Sequence, residues 1–126
     1  MDTRRLILAA CLILLPGVAH AAAQNTVTWT DNATDETSFV LERATAVDVA
    51  ACQTATIWTP IVTLPAAVAS PPSTVAFVDT VVTVGTTYCY RVKAVNAAGS
   101  SLASNIAGRL VPLAIPAAPS GLQVGP

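Results

Sequence analysis

One histidine occurs in the 126 residues, at position 20, and none follows it. The body of the chain therefore lacks the side chain most used as a general base and as a metal ligand near neutral pH. Charged residues make up 10% of the chain and aromatics 5%, with a formal net charge of −1. No run of Lys or Arg forms the basic patch that nucleic acid or an anionic membrane surface would attract. No C-x-x-C pair is present, so the cysteines do not read as a redox motif. Beyond the first 21 residues no segment carries a convincing helical period. These absences argue against catalysis. The expectation is a chain that is not an enzyme, takes no cofactor and binds no nucleic acid.

What is present begins with an export signal. Arg4 and Arg5 give a positive start, residues 6–18 an apolar run broken by Pro16-Gly17, and Ala19-His20-Ala21 an A-x-A cleavage site. Cleavage after Ala21 is expected, with Ala21-Ala22-Ala23 as a second option. The apolar run is short of the ~20 residues that a membrane-spanning helix needs. No stable membrane insertion is expected after cleavage. Leu8-Ala9-Ala10-Cys11 has the letters of a lipidation box. Cys11 lies inside the apolar run, however, whereas a signal core usually extends ~7–15 residues before its cleavage site. Thr3-Arg4-Arg5-Leu6 also faintly matches a twin-arginine signal, though two arginines are ordinary there. Removing residues 1–21 leaves four basic residues against six acidic ones and two cysteines, Cys52 and Cys89. An even pair in an oxidising compartment is expected to form a disulfide.

The remaining sequence reads as short strands. Residues 86–96 alternate Tyr88, Tyr90, Val92 and Ala94 with Cys89, Arg91, Lys93 and Val95. A period of two with aromatic and β-branched residues marks a half-buried strand. Further strands are expected at residues 26–30, 38–43, 58–64, 74–78 and 103–111. Phe39 and Leu41 share one face of the second, and Val75 and Phe77 one face of the fourth. Pro60 confines its strand to a sheet edge or a strand start. Residues 44–56, which hold Cys52, read as a weakly patterned loop. Strands at ~8–12-residue spacing argue for an all-β sandwich or barrel.

Residues 26–111 resemble the fibronectin type III family as found in secreted bacterial proteins. The strongest likeness is Tyr88-Cys89-Tyr90-Arg91-Val92-Lys93-Ala94-Val95-Asn96 followed by the turn Ala97-Ala98-Gly99. Trp29, Phe39-Val40-Leu41-Glu42-Arg43 and Gly85-Thr86-Thr87-Tyr88 add to it. The resemblance implies an immunoglobulin-like antiparallel β-sandwich over residues 22–113. It also implies a tyrosine corner, in which Tyr88 bonds back to backbone just upstream. It places Cys52 and Cys89 toward the same end of one sheet. Two departures stand out. Almost no chain precedes the first strand after cleavage, so the sandwich is expected to lack its own strand A. Residues 116–124, P-A-A-P-S-G-L-Q-V, look like the start of a following module, so residues 114–126 are read as a linker or the start of a following fibronectin-like module, with donation as a strand to another copy the further alternative.

Few residues offer chemistry. Asp31, Asp35 and Glu36 share one turn that could hold calcium, against the plainer reading of an Asx-type turn. Asn32-Ala33-Thr34 is a glycosylation sequon, relevant only in a eukaryotic secretory route. Trp29, Phe39, Phe77, Tyr88 and Tyr90 all fall on inward positions. Trp58 alone is ambiguous between the sandwich margin and a sugar-binding surface. Arg43, Arg91 and Lys93 are expected beside Glu42 on the outer sheet face as ordinary surface ion pairs. The turn at residues 96–101 has no Arg-Gly-Asp.

The function these features imply is a secreted interaction or spacer module with a protein or polysaccharide partner. Head-to-tail self-association, and service as an accessory module of a larger secreted hydrolase, are the alternatives.

Overall fold

The computed structural model describes residues 21–66 and 70–126. The expected export signal, residues 1–21, lies outside the described residues except for Ala21, which is exposed.

Seven strands follow among the described residues: β1 Asn25–Asp31, β2 Ser38–Ala46, β3 Thr59–Pro65, β4 Ser73–Asp79, β5 Thr87–Asn96, β6 Gly99–Ser100 and β7 Ala107–Leu110. They build two antiparallel sheets that pack as a β-sandwich. One is β1–β4. The other runs β3-β2-β5, with β6 and β7 sharing the far edge of β5. Phe39 and Leu41 of β2 and Tyr88 and Tyr90 of β5 are buried. Val27 and Trp29 of β1 and Phe77 of β4 pack over the cluster that Leu41, Tyr88 and Tyr90 form. The Trp29 and Phe39 rings meet edge to face, 5.7 Å apart, the geometry that aromatic quadrupoles favour.

The strands match the sequence reading with shifts at their ends, and each shift has a local cause. β3 begins after Trp58, and Pro60 sits on the edge strand, where its missing N–H breaks no ladder. The register between β2 and β3 slips between Leu41 and Glu42, beside that proline. The strand expected at residues 103–111 is shorter, Ala107–Leu110. Serines replace part of it. The Ser101 and Ser104 hydroxyls accept the N–H groups of Ala94 and Val92, and their own N–H groups donate to the carbonyls of the same two residues. Side-chain bonding of this kind competes with a regular ladder.

Two expectations are corrected. The loop read at residues 44–56 instead extends β2 to Ala46 and then makes a 3-10 helix, Ala50–Thr54. The Asp48 carboxylate accepts the Ala51 N–H at 2.8 Å and the Thr54 hydroxyl donates to the Ala51 carbonyl. Five residues are too few to show a helical period. Arg43, expected on the outer face, points inward. It sits opposite Tyr90, as Leu41 sits opposite Val92 and Phe39 opposite Ala94. Side chains two apart share a face, so the alternation that buries Phe39 and Leu41 also turns Arg43 in.

The outer face of the larger sheet carries a second, smaller core. The 3-10 helix lies across it, and Cys52 is joined to Cys89 by a disulfide with Cα atoms 5.5 Å apart. Both cysteines are fully buried with Ala44, and Ala46, Ala55, Trp58 and Ile106 pack around them. Gly108 faces this cluster from β7, opposite Cys89. A Cβ there would stand 2.6 Å from Cys52 Sγ and 3.3 Å from a Val49 methyl. The sulfur is held by its bond and cannot swing away. Gly108→Ala is therefore expected to cost about 1–3 kcal/mol, as overpacked cores do. A denaturant midpoint unchanged from the parent would show that the helix does not press on β7.

Candidate functional site

Two features stand out when side chains are followed from their strands. The first is a buried polar clasp between the sheets. Asp79 ends β4 and is 3% exposed. Its Oδ2 accepts from Arg43 of β2 at 2.8 Å and from the Tyr90 hydroxyl of β5 at 2.9 Å, while Oδ1 accepts the Val81 N–H. Asn25 opens β1 and donates its amide to the same Tyr90 oxygen at 2.9 Å. Arg43 also donates to the Val81 carbonyl and lies over the Tyr88 ring. Three strands thus meet at one carboxylate, and β1 joins them through the Tyr90 hydroxyl. Burial pushes the Tyr90 phenol up to about 12. The Asn25 bond opposes that rise and the Asp79 carboxylate adds to it. The chemistry of this cluster is spent on cohesion, because each charged member already has its partner inside.

The second feature is a groove. Among the described residues β1 pairs only with β4, so its other edge is free. In an antiparallel ladder every second residue turns its N–H and C=O away from the partner strand. On β1 those groups meet no strand. The free edge borders a groove of about 400 Å3 whose floor is Val27, Trp29, Leu41, Tyr90 and Val92, with Ser104, Asn105 and Ala107 as the opposite wall. Ala107 lies opposite Tyr90 in register, on the inward face, and is nevertheless exposed. The Trp29 indole N–H is buried without a hydrogen-bond partner, a costly state for a polar group.

The sequence-derived candidates distribute as follows. Tyr88 is buried and its hydroxyl accepts the Thr83 N–H at 3.0 Å, five residues upstream. Asp31 is buried, and its Oδ1 accepts the Ala33 N–H at 3.1 Å in an Asx-type turn. Asp35 and Glu36 do not converge with it: among the described residues no group of three His, Cys, Asp or Glu side chains is placed to hold a metal ion. Trp58 lies on the outer face, where its indole donates to the Ala55 carbonyl and the Arg91 guanidinium covers its ring at 4.4 Å. That ring face is occupied within the molecule. The Glu42 ion pairs, expected as plain surface chemistry, are largely buried on the outer face. Burial raises the Glu42 carboxyl, but hydrogen bonds and charge from Arg91 and Lys93 outweigh this and hold it below its ordinary value. No described helix is long and apolar enough to cross a membrane.

Sequence reasoning missed the clasp, whereas the open edge beside the groove agrees with the expected lack of a strand A. A parity count from Phe39 would have placed Arg43 inside and prompted a search for its carboxylate. No protein-family model matches the chain, and no curated protein matches it either.

Proposed function

We propose that the chain is an exported β-sandwich of the immunoglobulin-like, fibronectin type III kind that works as a non-catalytic interaction module. In this reading it takes up an extended segment of a partner along the free edge of β1. The observation that carries it is the groove: an open strand edge beside an apolar floor is what strand addition requires, with main-chain bonds giving affinity and alternate side chains giving selectivity. The disulfide supports export, since such bonds persist in oxidising compartments. The clasp and the disulfide hold the frame rigid on both faces of the larger sheet, which lowers the ordering cost of binding.

The test starts from the full chain expressed in an exporting bacterium. Mass spectrometry of the released protein should show a start at Ala22 or Gln24. An intact Met1, or lipidation at Cys11, would overturn the export reading. The purified product is then offered a displayed library of random extended peptides. Peptides with alternating apolar residues should be enriched, and they should lose binding to Ala107→Trp, in which an exposed groove residue is enlarged to fill the space. No enrichment, or binding indifferent to Ala107→Trp, overturns the edge as the site.

A further inference from the structure

The groove's occupant can be narrowed by what else the molecule exposes. After Val111 the chain carries several exposed apolar residues. Every residue from 112 to 126 is exposed. Leu113, Ile115, Leu122 and Val124 are 71%, 90%, 94% and 93% exposed. Leu122 and Val124 flank Gln123, the alternation of a strand with one buried face. One molecule thus holds both an apolar groove beside an unpaired strand and an unpaired apolar segment.

The tail is poorly placed to fill its own groove with antiparallel pairing. Val111 is fixed by bonds to Gly85 and Thr86, and β7 ends opposite Thr87, at the end of β5 near which Asn25 begins β1. An antiparallel strand along β1 must start at the other end, beside Asp31. The seven residues of β1 span ~23 Å at ~3.3 Å each. The link from Val111 to Pro116 reaches at most ~17 Å when fully extended. A neighbouring molecule has no such limit.

We infer that residues 116–124 of one copy add to the free β1 edge of a second copy, with Leu122 and Val124 lying on the groove floor. The inference rests on the reading of that edge as the binding site. Entry of a strand brings backbone carbonyls next to β1 and so offers the Trp29 indole an acceptor. Pro116 and Pro119 lie three apart and turn their nitrogens to opposite sides of a strand; one faces away from the ladder, as an outer edge tolerates, and the other leaves one β1 carbonyl without a donor. Donor and acceptor are different surfaces, so the contact is heterologous and propagates head to tail unless the rotation closes.

Two variants of the exported chain separate the roles. Ala107→Trp fills the groove and leaves the tail free. Leu122→Asp with Val124→Asp spoils the tail at exposed positions and leaves the groove open. The parent should form species whose size rises with concentration in sedimentation. Each variant alone should stay monomeric, and an equimolar mixture of the two should form heterodimers and stop there. Amide exchange at residues 26–30 should slow in the assembled parent and in the acceptor half of the mixture. A parent that stays monomeric to millimolar concentration overturns the inference, as does assembly by the tail variant or a mixture with no heterodimer. A monomer with protected tail amides would mean the tail folds back on its own molecule, which also overturns it. If the peptide selection succeeds while self-assembly fails, the edge is a binding site for foreign strands. Failure of both removes the edge reading itself.

Discussion

Replacing Asp79 with alanine is expected to destabilise the fold by about 3 kcal/mol or more, the usual cost of removing one partner of a buried ion pair. For a chain of this length that is a fall of roughly 10–20 °C in Tm. The reason is the number of donors that converge on one carboxylate. Without it the Arg43 guanidinium, the Tyr90 hydroxyl and the Val81 N–H lose their acceptor together. Arg43 keeps only the Val81 carbonyl and the Tyr88 ring. Asp79→Asn keeps the shape but presents an amide to groups that donate, and should recover only part of the loss. Thermal and urea unfolding of the two variants, read by the far-ultraviolet signal, decide the matter. A Tm within two or three degrees of the parent for Asp79→Ala would mean that the clasp does not hold the sheets.

The same cluster gives the stability a dependence on alkaline pH. The Tyr90 phenol is raised from 10.0 to about 12 in the folded protein, chiefly by burial. A raised pKa means that the folded state favours the neutral phenol. Its contribution is whole below the unfolded value of 10 and is lost as pH climbs from there toward 12. Removing Asp79 removes part of what raises the phenol, so Asp79→Asn should lose less over that interval. Tyr90→Phe should remove this component of the decline.

How far the residues announced this can be judged element by element. The alternation in residues 86–96 places β5 and its inward tyrosines without help from tertiary structure, because a period of two leaves only the choice of face. Pro60 likewise announces an edge strand. What failed was local to longer-range partners. Arg43 reads as a surface cation because charge is the stronger cue, yet its position two residues after Leu41 decides its direction. The 3-10 helix is invisible because its stability comes from Asp48, Thr54 and the disulfide and not from a hydrophobic stripe. The serines at 101 and 104 look like loop composition, and only their bonds to Val92 and Ala94 show that they continue the sheet. The open edge beside the groove was legible as a missing strand A, whereas the floor and far wall draw on four separate segments, which no single one encodes.

Removing the disulfide should have an effect as large as that of Asp79, but by another route and in another place. The bridge joins residues 37 apart. Closing a loop of that size in the unfolded chain is worth about 3–4 kcal/mol in the chain-entropy account. Cys52→Ala with Cys89→Ala is expected to lower stability by that amount, a Tm decrease of roughly 10–25 °C. The local consequence follows from what surrounds the bridge. Ala44, Ala46 and Ala55 provide little apolar area, and Trp58 and Ile106 are the larger side chains packed around the bridge. So small a contact cannot hold the 3-10 helix against the entropy of a freed loop. The Ala51, Cys52 and Ala55 amides, hydrogen-bonded in the parent, should then exchange at near-unprotected rates well before β2 and β5 open. The inner core, with Leu41, Tyr88, Tyr90 and Val111, is on the opposite face of the sheet and keeps its contacts. A double variant that loses stability without early exchange at residues 50–55 would assign the whole effect to the unfolded chain. One that keeps both its Tm and its protection would show that the alanines and Trp58 suffice to seat the helix.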